Sequence, residues 1–217
     1  MRRHSGADFA SLHFSMKSEM KAKLLAGLAG VVILSIPATL WASKPIDEIR
    51  TVVNHALQMV RHSKLESRQE KEALVGRLEE IIDPLFDFNE MAKRSLGLHW
   101  KTLTPEERRE FVPLFRDFLG RIYLGRVKSY NGEKVLFVGE QLGKNYAEVD
   151  TQVVGQTGNQ LPVVYMLKRD DDDWKIYDVL IDHVSLIDNY RSQFDSVIAG
   201  SSYQGLVERM KQKINAG

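Results

Sequence analysis

The period of the hydrophobic pattern changes near residue 134, and this change limits the folds that the chain can form. Up to that point apolar residues recur at helical spacing, as they do again after residue 185. Between these regions Ala147, Val149, Thr151 and Val153 alternate with polar neighbours, which is the pattern of a half-buried strand. The order of helices, strands and helices predicts an α+β fold.

Four strands are predicted in the central region, and the turns between them are short. The segments are 134–140, 145–154, 161–168 and 174–182. The connections at 155–160 and 170–173 are rich in turn residues and are too short for parallel crossovers. We therefore predict a four-stranded antiparallel sheet with helices packed on one face, forming a single domain over residues 43–217.

Helices are predicted on both sides of the strand region. Ser67 with Glu70, and Thr104 followed by Pro105, are residue types that start helices. Pro113 lies inside the apolar pattern after Thr104, so a bend or a later start is expected there. The predicted helical segments are 45–62, 67–84, a short one that stops near 97, 104–130, 185–199 and 202–215.

The N-terminal region has the pattern of an export signal. Basic residues dominate the first 23 positions, and 24–42 then contain no charge. Pro37 and the small residue Ala42 lie near the end of this run, which favours cleavage. We predict a signal peptide over 1–42 and a periplasmic mature protein. An uncleaved membrane anchor is the alternative, because the run is just long enough to span a bilayer.

Composition excludes several function classes. The chain has no cysteine, which rules out disulfides, thiolate metal sites and a cysteine nucleophile. A net charge of +1 gives no basic field for nucleic acid. The histidines follow no metal-ligand spacing, and no serine lies in a nucleophile motif. We therefore predict no catalytic residue, no metal and no cofactor.

The most prominent feature of the sequence is its supply of apolar side chains, which make up 43% of the residues. The helix after Thr104 carries three phenylalanines at helical spacing, and the strands carry further aromatic and branched residues. A curved sheet covered by helices can close into a solid core, or it can leave a hollow between its layers. The residues alone leave both outcomes open.

Three blocks of the chain resemble the MlaC / toluene-tolerance family of periplasmic proteins. They are FDFNEMAKRSLGLHWKTLTPEERREFVPLFRDFLGRIYLGRV, YNGEKVLFVGE and WKIYDVLIDHVSLIDNYRSQFDSVI. Their order and spacing match that family over nearly the whole mature chain. The resemblance follows a fold-wide pattern and involves no short catalytic motif.

The resemblance implies a lipid carrier that is not an enzyme. Members enclose phospholipid acyl chains in an apolar cavity and exchange lipid between an outer-membrane lipoprotein–porin complex and an inner-membrane ABC transporter with its membrane-anchored substrate-binding subunit. This exchange serves outer-membrane asymmetry and solvent tolerance. The bound phospholipid would be cargo, and another amphiphile such as a hopanoid is an alternative. Because apolar burial has little directionality, tolerance of different acyl chains is expected, and a headgroup that remains outside the cavity predicts weak headgroup selectivity.

The candidate lipid-binding residues come from the apolar faces of the predicted elements. For each of them, ordinary core packing is the competing interpretation. The long helix supplies Phe115, Leu119, Ile122 and Tyr123. The sheet supplies Phe137, Val149, Val163, Tyr165, Tyr177, Val179 and Ile181. Tyr190 and Phe194 are candidates for a wall or gate.

Two rival interpretations belong to other functional classes. An enzyme could use the same cavity if Asp178 and His183 formed an acid–base pair, but a spacing of five places them on opposite faces of a strand. A membrane-tethered adaptor would result if 24–42 stayed attached. The mass of the mature protein would separate this last alternative from a released carrier.

Overall fold

The computed structural model describes residues 44–63, 65–171 and 173–215, apart from the side chains at 126 and 128. The predicted signal peptide, 1–42, lies outside these ranges. No helix among the described residues has the length and apolar character needed to cross a membrane.

The described chain contains seven α-helices and two short 3-10 helices. Side-chain caps explain four of the starts. Ser67 accepts a hydrogen bond from the backbone N–H of Glu70 and Thr104 accepts one from Glu107, each within a capping box. Asp87 and Ser185 cap α3 and α6 in the same way. The 3-10 helices are Asp83–Leu85 and Leu124–Ser129. The α-helices are α1 Pro45–His62, α2 Arg68–Ile82, α3 Phe88–Leu96, α4 His99–Thr102, α5 Pro105–Tyr123, α6 Leu186–Gly200 and α7 Tyr203–Asn215.

The long helix departs from the prediction at its end. It starts at Pro105 and continues through Pro113, so the later start considered from sequence is wrong. It ends as an α-helix at Tyr123 and tightens into the 3-10 helix, whereas the apolar spacing predicted helix to about residue 130. The four-residue helix α4 was not predicted, because one turn is too short to show a hydrophobic period.

The sheet is an antiparallel meander of five strands in chain order. The α+β class is confirmed, and the predicted number of four strands is wrong. The additional strand, Val184–Ser185, has two residues, so it carries no alternation that a sequence could reveal. The strands are β1 Lys134–Leu142, β2 Tyr146–Val154, β3 Gln160–Asp170, β4 Asp173–Ile181 and β5 Val184–Ser185.

The apolar core consists of two clusters. One joins α3, α5, α6 and α7 through rings such as Phe115 and Phe194. The other joins α1 to one face of the sheet, where Ile49 packs with Ala147 and Val149. Phe86 packs against both clusters, so the turn after α2 links the helical and sheet halves of the core.

Asp178 in β4 fixes the start of α6 on the sheet. Its carboxylate accepts hydrogen bonds from the Ser185 hydroxyl at 2.5 Å and from the Ile187 backbone N–H at 3.1 Å. Ser185 in turn accepts a hydrogen bond from the backbone N–H of Asp188. A carboxylate at a helix N-terminus is stabilised by the free backbone N–H groups and by the helix dipole.

Candidate functional site

A pocket of about 200 Å³ lies between α5, the end of α2 and one face of the sheet. Nine of its lining residues are aliphatic, methionine or phenylalanine, two are tyrosines, and charged side chains occur only on the α2 and α5 side. The lining consists of Glu79, Ile82, Asp83, Phe86, Phe88, Met91, Arg116, Leu119, Gly120, Tyr123, Leu124, Tyr165, Val179, Ile181 and Leu186.

The floor of the pocket comes from strands β3 and β4. Tyr165 lies opposite Val179 in the ladder, and Ile181 follows Val179 two residues later, so these three lining side chains share one face of the sheet. Burial raises the pKa of the Tyr165 phenol, and a hydrogen bond with Thr151 opposes that rise. The phenol therefore stays neutral, and the floor is apolar apart from one satisfied hydroxyl.

One face of α5 forms the opposite wall. Arg116, Leu119, Gly120, Tyr123 and the following Leu124 recur at intervals of three and four residues, which places them in a single stripe. Because Gly120 lacks a side chain, the carboxyl end of the Glu79 side chain from α2 lies directly over the α5 backbone at this point. A Cβ at position 120 would lie 2.8 Å from an Oε1 atom of Glu79.

Aromatic rings from the chain that follows α2 close one side of the pocket. The rings of Phe86 and Phe88 are stacked with their centroids 5.6 Å apart. The backbone N–H of Asp87, between them, donates to the carbonyl of Ile176 in β4 at 2.9 Å. This bond ties the pocket wall to the sheet and leaves both rings available as apolar surface.

The charged edge of the pocket carries an excess of carboxylates. The guanidinium of Arg116 donates to Asp117 at 2.7 Å and lies 3.8 Å from Asp83. Within the described ranges Glu79 has no hydrogen-bond or ion-pair partner. Burial raises the pKa of the Glu79 carboxyl, and the nearby Asp83 and Asp117 raise it further against the opposing effect of Arg116. Burial likewise raises the pKa of Asp83.

A larger groove of about 540 Å³ lies between α1 and α2, but its chemistry differs. It is open to solvent, and most of its side chains are polar, so it offers no hydrocarbon-like surroundings. We therefore take the smaller apolar pocket as the candidate site. The groove is lined by His55, Gln58, Met59, His62, Ser63, Glu70, Ala73 and Arg77.

The structure places five of the thirteen residues predicted from sequence around the pocket. These are Leu119, Tyr123, Tyr165, Val179 and Ile181. The other eight lie elsewhere, and lipid contact by any of the thirteen stays a prediction. Phe115, Tyr190 and Phe194 belong to the helical cluster, with Ile122 packed against it. Val149 and Val163 belong to the sheet cluster, with Phe137 packed against it. Tyr177 lies beside Tyr146 and beneath the guanidinium of Arg94.

Sequence reasoning missed the residues of the pocket that are not on obvious apolar stripes. The sequence analysis did not select Glu79, Asp83 or Gly120, because none of them belongs to an apolar stripe. The spacing offered one signal: Glu79 and Asp83 are four apart, as are Arg116 and Gly120, so each pair shares a helix face. Pairing those two faces requires the tertiary structure.

Asp178 and His183, the two residues of the alternative acid–base pair, lie in different surroundings. Asp178 caps α6, whereas His183 is exposed in the turn before β5, with a φ of 63°. Among the described residues no group of three or more histidine, aspartate or glutamate side chains is arranged to hold a metal ion.

The antiparallel sheet, the helices against it and the pocket between them define an α+β protein with an apolar pocket on one face of its sheet. A family model described as MlaC protein matches residues 50–212. The chain therefore belongs to the MlaC family, in agreement with the resemblance carried by the three sequence blocks.

Two characterised relatives have informative names. The toluene tolerance protein ttg2D of Pseudomonas putida is 24% identical over 182 residues, which are 82% of this chain and 82% of that protein. The intermembrane phospholipid transport system binding protein MlaC of Haemophilus influenzae is 20% identical over 134 residues, which are 59% of this chain and 63% of that protein.

A solved structure shares the fold. The phospholipid-binding protein from Ralstonia solanacearum, determined in complex with a phospholipid, superposes with a TM-score of 0.67 at 20% identity. The match covers 80% of this chain and 98% of that one.

Proposed function

We propose that this protein is a periplasmic phospholipid carrier that holds acyl chains in the pocket between α5 and the sheet. It would exchange lipid between an outer-membrane lipoprotein–porin complex and an inner-membrane ABC transporter with its membrane-anchored binding subunit, and so maintain outer-membrane asymmetry. The apolar lining of the pocket carries this proposal. The names of the two relatives and the phospholipid bound by the structural neighbour support it.

The energetics of lipid extraction require such a pocket. Moving a diacyl lipid from a bilayer into water exposes about 30 methylenes at about 0.8 kcal/mol each, which amounts to roughly 24 kcal/mol. Surface contacts cannot offset a cost of that size, so the chains must be buried in continuous apolar surroundings. Carriage of this kind needs no bond to be made or broken, and we accordingly propose a binding protein rather than an enzyme.

The pocket must enlarge to hold a complete lipid. An apolar cavity of about 150 Å³ holds one benzene molecule, so a pocket of about 200 Å³ has room for roughly eight carbon atoms. Two acyl chains need several times that space. We expect α2 to move more readily than α5, because α2 buries only Leu74 and Leu78, whereas α5 buries three phenylalanines and Leu119.

Native mass spectrometry of the purified protein tests the proposal directly. We expect a species heavier than the chain by one phospholipid, and organic extraction should release that lipid. We also expect the protein to transfer labelled phospholipid between two vesicle populations at a rate that rises with protein concentration. Boiled protein is the control.

Two results would change the assignment. Absence of both co-purified lipid and vesicle transfer would overturn the carrier function. Extraction of another amphiphile, such as a hopanoid, together with failure to transfer phospholipid, would show that the protein is a carrier with a different cargo.

A further inference from the structure

Helix α2 differs from the other helices in how it is attached. It buries Leu74 and Leu78, and neither of them belongs to the two apolar clusters of the described core. Its side-chain hydrogen bonds stay within the helix and its N-terminal cap, as between Arg68 and Glu72. Among the described residues no hydrogen bond or ion pair joins 68–82 to another helix or strand.

Each of the other six α-helices has at least one hydrogen bond between a side chain and the backbone of a neighbouring element. In α1, the backbone N–H of Ile46 donates to Glu140 of β1 at 2.8 Å. Displacement of α2 therefore breaks fewer hydrogen bonds than displacement of any other helix described above. The bonds that join α3 with α6, α4 with α5, and α5 with α7 run from Arg191 to the carbonyl of Arg94, from Arg108 to that of Trp100, and from Tyr203 to that of Glu107.

Empty space borders α2 on two sides. The apolar pocket of about 200 Å³ lies on one side and the solvent-open groove of about 540 Å³ on the other. At about 100° per residue, the two sets of residues that line them point in directions about 160° apart, so α2 separates the pocket from the groove. The two sets are Glu79, Ile82 and the C-cap Asp83 at the pocket, and Glu70, Ala73 and Arg77 at the groove.

The C-terminal end of α2 is fixed to the sheet. The carbonyl of Pro84 accepts a hydrogen bond from Lys175 of β4 at 2.8 Å, and Leu85 is buried in the sheet cluster. With a rise of about 1.5 Å per residue, Glu70 lies about 20 Å along the helix from this anchor and Glu79 about 6 Å. A rotation about the anchor moves the N-terminal half of α2 furthest, and that half borders the groove.

We propose that α2 is the lid of the acyl-chain pocket, and that it rotates about the 3-10 helix Asp83–Leu85 into the groove beside α1 when a phospholipid enters or leaves. This inference rests on the proposed carrier function. The movement widens the apolar pocket and narrows a groove that is open to solvent, so no side chain has to leave either of the two packed clusters.

The test fixes the width of the groove and measures transport. Met59 of α1 and Ala73 of α2 both line the groove and do not line the pocket, and the chain has no cysteine of its own. The double variant Met59→Cys with Ala73→Cys is therefore linked specifically by the rigid reagent phenylene dimaleimide. Linked protein should transfer labelled phospholipid between vesicles no faster than the protein-free blank, whereas the unlinked double variant should match wild type.

A second pair of cysteines is the matched control. His99 of α4 and Asp195 of α6 are in contact at 2.8 Å and lie outside the pocket and the groove. His99→Cys with Asp195→Cys, linked by the same reagent, joins two helices that the lid movement leaves in place, so transfer should continue. Mass spectrometry verifies both links, and circular dichroism verifies that both proteins are folded.

A third variant tests the lid without any link. Leu74→Ala removes one of the two side chains that α2 buries, so it should raise the rate at which bound phospholipid leaves the protein. Leu206→Ala in α7 is its control, because Leu206 is similarly buried but belongs to the helical cluster. This control should lower the stability of the fold and leave the release rate unchanged.

The outcomes separate the lid from the function on which it rests. Normal transfer by the protein linked across the groove, or an equal loss in both linked proteins, would overturn the lid while the carrier function stood. Equal release rates in Leu74→Ala and Leu206→Ala would also overturn it. Failure of the wild-type protein to bind or transfer phospholipid would overturn the carrier function itself.

Discussion

The two flanks of α5 are packed differently: aromatic rings fill one of them, and a pocket borders the other. Toward α6 and α7, Phe115 and Phe118 meet Tyr190 and Phe194 with ring centroids 5.5 to 6.4 Å apart, and the space is filled. Toward the sheet, the same helix leaves a pocket of about 200 Å³. Large rings on both helices fill the interface between α5 and α6. The interface between α5 and the sheet keeps a cavity.

The comparison teaches where stability and binding reside in this fold. The filled aromatic flank supplies contacts that persist whether or not a ligand is present. The pocket flank lacks some of those contacts, and a void forgoes the dispersion energy of the atoms that are absent. A ligand with apolar chains would restore them.

The largest expected effect is on the filled flank. Phe115 is fully buried among aromatic rings, so Phe115→Ala should lower the free energy of unfolding by about 3–5 kcal/mol. Leu119→Ala, on the pocket flank one turn later, should cost about 2 kcal/mol, because the cavity there already exists. Urea denaturation measures both values. Equal losses would show that the two flanks are packed alike.

The next expected effect concerns lipid content rather than folding. Val179 lines the pocket and Val163, on the next strand, does not, although the two are similarly buried at 8% and 9% exposure. Val179→Trp should place its ring in the void and reduce co-purified lipid severalfold. Val163→Trp should overpack the sheet cluster, cost about 1–3 kcal/mol and retain lipid. Lipid extraction and denaturation are measured on both variants. Loss of lipid in Val163→Trp but not in Val179→Trp would show that lipid does not bind in this pocket.

A smaller effect is expected from closing the gap at Gly120. Gly120→Ala should raise helix stability by up to about 1 kcal/mol and displace the flexible end of Glu79 from the pocket edge. Gly76→Ala in α2, where a Cβ meets nothing within 4 Å, should stabilise without that displacement. Thermal unfolding of both variants is the measurement. Equal stabilisation by Gly120→Ala and Gly76→Ala would show that displacing Glu79 has no cost.

The smallest expected effect is a pH dependence of stability. Burial, Asp83 and Asp117 raise the folded-state pKa of Glu79 above 4.5, while Arg116 opposes them. The stabilisation that protonation of Glu79 provides is therefore complete below the unfolded-state pKa and is lost as the pH rises through the folded-state pKa.

Glu79→Gln should consequently be more stable than wild type at pH 7, by less than about 1 kcal/mol because the group is partly exposed. The difference should shrink as the pH falls toward about 4. Denaturation at several pH values, with Glu80→Gln as the control, measures it. A difference that stayed constant with pH, or grew on acidification, would contradict the raised pKa.

Much of the fold follows from local sequence. The capping boxes at Ser67 and Thr104 start α2 and α5 where predicted, since a cap involves residues only three apart. The alternation in 145–154 places Val149 and Thr151 on the buried face, as β2 shows. The two-residue strand at Val184 was missed, because it exists only through its pairing with β4.

The pocket could be predicted only in part. Its apolar strand residues Tyr165 and Val179 were chosen from alternation alone, and so was Tyr177. A register shift between β3 and β4 interrupts the alternation at Tyr177, which lies beside Arg94 instead. A bulge of this kind is set by the pairing of two strands and has no signature in either one.

By itself the sequence determined the fold class, the order of its elements and their apolar faces, because these depend on periods and caps that act within a few residues. It also carried the family pattern over residues 50–212. Only the tertiary structure decided which apolar face of α5 is filled and which borders a void, and it alone brought Glu79 over Gly120. Those outcomes depend on the shapes of surfaces that are distant in sequence, and close packing resolves them only when both surfaces are present.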